Sequence, residues 1–159
     1  FTIRGVKVGV SEMDILAIRV SSSGVICRHI EVQASVNPVS YLFRLTKEDQ
    51  RETGRGATSA ALRTEIQLVR GADAWIQRKF ENPKLVAVKK NLVDALWSNE
   101  LVVHKLRHEI EREMLVDRGI VIHDLSQIVK QMRQQSHIVP RAAGGDFVDL
   151  IDLGNQKLD

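Results

Sequence analysis

The chain contains a single cysteine, Cys27. One thiol cannot close an internal disulfide, and without a cysteine cluster there is neither a zinc–thiolate centre nor a dithiol redox couple. Long apolar runs are missing too. No segment approaches the roughly 18 apolar residues of a membrane helix, and the opening FTIRGVKVG lacks the apolar core of a secretory leader. The expected compartment is therefore the cytoplasm. Neither sign of charge dominates: 23 basic against 20 acidic residues leave a net +3. That balance decides little, although a pI near 9.2 leaves room for a polyanionic partner wherever the basic residues cluster. Internal repeats and low-complexity segments are also absent from the sequence.

What is present fits one domain over residues 1–159, since 43% apolar content supplies a single sizeable core. A strand pattern starts at Phe1 with no initiator methionine, so some native N-terminal sequence is expected to be missing. Three alternating runs, Phe1 to Val8, Met13 to Val20 and Val25 to Ser35, are separated by GVSE and SSSG and read as an antiparallel meander. Polar, glycine-containing sequence from Tyr41 to Ser59 reads as a long loop carrying Arg44, Lys47, Arg51 and Arg55. Thr58 or Ser59 then caps a helix running to Phe80, with Leu62, Ile66, Val69, Ala72 or Asp73, and Ile76 at helical spacing. Pro83 starts a second helix that extends to Trp97. NELVVHKL, RHEIEREMLVDRG, IVIHDL and SQIVKQMRQQ follow as strand, helix, strand and helix. Short apolar strands separated by helices favour parallel pairing, so the fold class is α/β, a mixed central sheet opened by the meander and flanked by helices. One more apolar stretch lies around Phe147 to Leu153.

The hairpin SEMDILAIRVSSSGVICRHIEVQASV has acidic residues in places a half-buried strand does not favour. A turn centred on Ser22 and Ser23 sets Asp14 directly opposite Glu31; a turn centred on Ser23 and Gly24 sets it opposite Gln33, with Glu31 in diagonal reach. Directly opposed like charges destabilise a strand pair. Alternation also places Glu31 and Gln33 on one face, away from Ile30 and Val32. Two carboxylates with an amide oxygen nearby form a hard oxygen site suited to Mg²⁺. The bland alternative is a solvated acidic strand face.

With MDILAI followed by HIEVQAS, the stretch resembles the restriction-endonuclease-like, or PD-(D/E)xK, nuclease superfamily. Asp14 matches that family's acidic residue at the start of the second core strand, and Glu31 opens its acidic-x-lysine triplet on the third. The resemblance covers Arg4 to Ser35, and the family's element order is compatible with the chain to Leu125. Gln33 stands where the family usually has lysine, and the family's further acidic residue on an upstream helix has no counterpart among these residues. The resemblance implies hydrolysis of DNA phosphodiesters with Mg²⁺ or Mn²⁺ held by Asp14, Glu31 and the carbonyl of Val32, and with Gln33 orienting water. Arg4, Lys7, Arg44, Lys47, Arg51 and Arg55 are the expected phosphate contacts, DNA the expected partner, and a homodimer compatible with the sequence. Two other readings are an inactive module of the same fold and an unrelated small regulatory α/β domain.

Other features carry less. The change from strand to helix near Leu106 breaks the four-residue spacing that would let His104 and His108 share a zinc ion with His123. GRGATSA lacks the GK[ST] ending of a phosphate loop. Trp75 and Phe80, at helical spacing beside Ile76, read as core rather than as a base-stacking platform.

Overall fold

A computed structural model describes residues 1–9, 11–33 and 41–134. Strands β1 (Thr2–Val8), β2 (Ser11–Ser21) and β3 (Gly24–Gln33) form the antiparallel meander, and β4 (Trp97–Val103) and β5 (Val121–Asp124) add in parallel to give a five-stranded mixed sheet ordered β1-β2-β3-β4-β5. Helices α1 (Lys47–Thr53), α2 (Glu65–Lys79) and α3 (Pro83–Leu92) connect β3 to β4, α4 (Glu109–Asp117) connects β4 to β5, and α5 (Leu125–Gln134) follows β5. The architecture is α/β with an open mixed sheet.

Pairing fixes which side chains share a face. Leu16 lies opposite His29, and Glu31 beside Leu101, so these four stand together. Helices α2 and α4 cover part of that face through a core of Phe43, Leu68, Ala72, Trp75, Ile76, Phe80, Leu101, Val103 and Leu115. Leu85 of α3 closes a second core with Met13 and Leu16. Both crossovers thus put their helices on one side, as right-handed connections that advance in one direction across a sheet must. Trp75 and Phe80 are buried, 5.6 Å apart and edge to face, in agreement with the packing role expected of them.

Several boundaries differ from the sequence expectation, each for a local reason. The supposed loop contains α1, because Thr46 and Asp49 form a reciprocal capping box and Gly54 ends the turn in the left-handed conformation (φ 66°). Buried Asp49 also binds Arg70 of α2 at 2.9 Å. The cap of α2 is Thr64, paired with Gln67, and neither Thr58 nor Ser59. Its buried face is Leu68, Gly71, Ala72, Trp75 and Ile76, while Leu62 and Ile66 are exposed. Gly71 decides that rotation: a Cβ there would meet Phe43 Cβ at 3.0 Å and the Arg44 carbonyl at 3.2 Å. Helix α3 stops at Leu92, where Val93 turns extended, and Trp97 opens β4 instead of ending a helix. Strand β3 is described to Gln33; Ser35 and the Phe147–Leu153 stretch lie outside the described residues. No described helix is long and apolar enough to cross a membrane.

Candidate functional site

The β2–β3 ladder runs from Ser21 opposite Gly24 to Ile15 opposite Ile30. This is the register of a turn centred on Ser22 and Ser23, and the ladder ends at Ile15, one residue short of Asp14. The ladder on the other side of β2 is interrupted at the same place: Arg4 pairs with Ile15 and Val6 with Met13, but Gly5 and Asp14 between them do not pair. Gly5 has φ 61°, a left-handed conformation that glycine adopts without steric cost. Met13 and Leu16, three residues apart, both bury in the same core cluster, which an unbroken alternating strand cannot do. The backbone of β2 therefore turns over at Asp14. Freed from both ladders, the Asp14 carboxylate accepts the Val32 backbone N–H through Oδ2 at 2.8 Å.

Glu31 points to the helical side and is 2% exposed. A carboxylate so buried needs partners, and it has two. His29 Nε2 lies 3.0 Å from Oε1, and the Lys79 ammonium, from the last turn of α2, forms an ion pair with Oε2. Oε2 faces that ammonium without a directed hydrogen bond. His29 is itself fully buried, edge-on to Phe80 at 4.8 Å. The repulsion expected between Asp14 and Glu31 is thus offset by an ammonium and a backbone N–H.

A further cation lies near Glu31. Arg78 precedes Lys79 on α2; burial and the charge of Arg44 push its guanidinium pKa down, while Glu31 pulls it up. Lys47, Arg51 and Arg55 line one shallow, open depression of about 760 Å³ with Gln50, Gly54 and Gly56. Three of the expected phosphate contacts are therefore neighbours. Arg4 pairs with Ile15 and Lys7 with Glu12, both exposed on the side of the sheet away from Glu31. Gln33 is exposed at the carboxyl end of β3, and its carbonyl accepts the His104 N–H at 3.4 Å. Asp124 lies along the same edge, since β3 and β4 align Gln33 with Val103 and β4 and β5 align Val103 with Asp124. The carboxyl ends of parallel strands are where open α/β sheets bind ligands.

The opposite face holds a second buried carboxylate. Glu100 receives a bidentate Arg28 guanidinium, Ser98 Oγ at 2.8 Å and His123 Nε2 at 2.6 Å. Burial alone would raise its pKa, but those three donors together bring it down to about 2. All of its oxygens are satisfied, so it reads as a structural tie between β3, β4 and β5. His123 belongs to this tie and His108 stacks on Tyr41 at 4.0 Å, so the histidines do not gather. Among the described residues no group of three or more His, Cys, Asp or Glu side chains is placed to hold a metal ion.

His29, Arg78 and Lys79 were not singled out from sequence. Period-2 alternation does put His29 on the face of Glu31; nothing in the linear pattern points α2's last turn at β3. No family model matches this sequence, and neither a curated protein nor a solved structure matches it.

Proposed function

We propose that this chain is a metal-dependent nuclease of restriction-endonuclease-like type that hydrolyses DNA phosphodiester bonds. The observation that carries the reading is the Asp14 carboxylate, outside both β-ladders, accepting the Val32 N–H next to Glu31, whose own carboxylate meets the Lys79 ammonium. The donors suit a hard divalent cation: two carboxylates and the Val32 carbonyl, with waters completing the shell, are within what Mg²⁺ or Mn²⁺ accepts. When bound, such an ion supplies Lewis-acid activation of the phosphate and a more acidic water.

The chain's own groups do the rest. Glutamine at position 33 cannot carry a positive charge; in this reading Lys79, which meets Glu31, supplies the charge that the phosphate requires. Gln33, exposed at the strand end, orients water through its amide. Arg44 and Arg78 flank the site, and the Lys47–Arg51–Arg55 depression extends the cationic surface along a nucleic-acid backbone. Arg4 and Lys7 would meet a strand passing the other side of the sheet.

A second reading has a specific observation in its favour. Lys79 already neutralises Glu31, which is almost inaccessible, so an inactive nuclease-fold module that binds DNA needs no metal there. Incubating the protein with supercoiled plasmid and Mg²⁺ or Mn²⁺, with chelator as control, separates the two. Metal-dependent cleavage lost in Asp14→Asn and Glu31→Gln supports the nuclease; salt-sensitive DNA binding without cleavage supports the module.

A further inference from the structure

The buried histidine beside Glu31 has no role in the reading above. His29 is fully buried, three ångströms from a carboxylate on its own strand, and edge-on to Phe80. A histidine buried among apolar side chains is usually tied to a backbone group or to water through both ring nitrogens. Here Nδ1 has no partner and Nε2 has one, Glu31 Oε1. The tautomer that makes this contact to an ionised carboxylate has its hydrogen on Nε2 and donates it. A hydrogen on Nδ1 would instead be a buried donor without an acceptor.

This places the whole polar capacity of the ring on one atom. Oε1 is held from the strand side by His29, and Oε2 is left toward Lys79. Glutamate has three side-chain torsions, and its terminal one is broad. Without a second anchor the carboxyl group could rotate about Lys79. Phe80 fixes the ring in turn, since its edge contact limits the imidazole to one plane.

From this geometry we infer that His29 is a positioning residue: its Nε2–H fixes the orientation of the Glu31 carboxylate and presents Oε2 to whatever cation occupies the site. The effect on turnover rests on the nuclease reading; the placement of Glu31 does not. Outer-sphere partners of this kind typically contribute about 10- to 100-fold to metal affinity or activity.

The test uses the full chain with His29→Leu, His29→Gln and Glu31→Gln, alone and in pairs. Urea unfolding of the set forms a double-mutant cycle, expected to show a His29–Glu31 coupling of about 5- to 50-fold in the unfolding equilibrium constant. Nitrogen-15 spectra of the histidines should show the His29 hydrogen on Nε2. Mn²⁺ affinity by titration calorimetry and plasmid cleavage should each fall about 10- to 100-fold in His29→Leu and recover for the most part in His29→Gln, whose amide can still donate. Absent coupling, with the Leu and Gln variants equally impaired, would reduce His29 to packing and overturn the inference. Coupling with cleavage unchanged in His29→Leu would overturn it as well. An inactive wild type that retains the coupling and the Nε2 hydrogen would defeat the nuclease reading and leave the placement of Glu31 by His29 standing.

Discussion

Lys79 reaches from the last turn of α2 to Oε2 of Glu31 on β3, so the positive charge beside this carboxylate comes from a helix, while Gln33 on the strand carries none. The pair joins the helical layer to the sheet at the point where β2 turns over. Its energetics can be separated from any catalytic role.

Replacing Lys79 with Met leaves the Glu31 carboxylate buried without its counter-charge. Removing one partner of a fully buried pair costs roughly 3–5 kcal/mol. The Lys79 side chain is 30% exposed, so solvent screens part of that, and a loss of about 2 kcal/mol is expected in urea unfolding at pH 7. Adding Glu31→Gln to Lys79→Met should restore much of it. Equal losses in the single and double variants would mean that the ion pair contributes nothing.

Glu111 on α4 is fully buried; its Oε1 accepts the Phe43 N–H at 3.1 Å and its Oε2 has no partner. Burial pushes its pKa up to about 6 from 4.5, against the pull of the Phe43 and Leu42 backbone N–H groups and of Arg63. A raised folded-state value favours the protonated form, so its stabilising contribution is fully present below pH 4.5 and is lost as pH rises through 6. The shift amounts to about 2 kcal/mol. Glu111→Gln keeps an acceptor for Phe43 without the charge. It should therefore be more stable than wild type by about 1–2 kcal/mol at pH 8, with the gap closing toward pH 4.5; parallel stability curves would contradict the assignment.

The depression beside α1 gives the phosphate contacts a metal-independent test. With chelator present, duplex DNA binding should weaken steeply with salt. Neutralising Lys47, Arg51 and Arg55 together should flatten the log–log slope by about 0.9 for every phosphate that no longer meets a cation. An unchanged slope removes this depression from the interface. Because α1 holds Lys47 and Arg51 in place, Thr46→Ala should lower stability by about 1 kcal/mol through loss of the capping box.

On the proposed nuclease reading, Gln33 should separate metal binding from turnover. Asp14→Asn and Glu31→Gln each remove one of the proposed charged oxygen ligands and should abolish both Mn²⁺ binding and cleavage. Gln33→Ala should leave affinity nearly unchanged while turnover falls by about 10² to 10³, the cost of losing one preorganised hydrogen-bonding group. Gln33→Lys should retain some activity. Parallel loss of affinity and turnover in Gln33→Ala would instead make Gln33 a ligand.

Period-2 alternation over residues 1–33 was enough to read the meander, and SSSG limited the hairpin to two registers, both of which kept Asp14 and Glu31 on one face. Those features are local: alternation, turn residues and a two-residue connection act over a few neighbours. The two parallel strands and their helices were legible for the same reason, since Pro83, Gly119 and the short apolar runs punctuate the chain. The choice of register needed the closing pair Ser21–Gly24. The capping box Thr46–Asp49 is also local, yet it was outweighed by glycine and polarity in the surrounding stretch.

Three facts came only from tertiary structure. The rotation of α2 depends on Gly71 admitting the Phe43–Arg44 backbone, a contact between segments whose sequence order says nothing of their approach. That rotation brings Lys79 to Glu31. The reversal of β2 at Asp14 depends on Gly5 across the ladder, because a positive φ in one strand frees the residue opposite it in the next. Sequence by itself determined the strand meander and which side-chain types each strand offers, since side-chain type and alternation are local properties. Which charges neutralise one another was decided by packing, because ion pairing depends on distance through space and the linear pattern holds none.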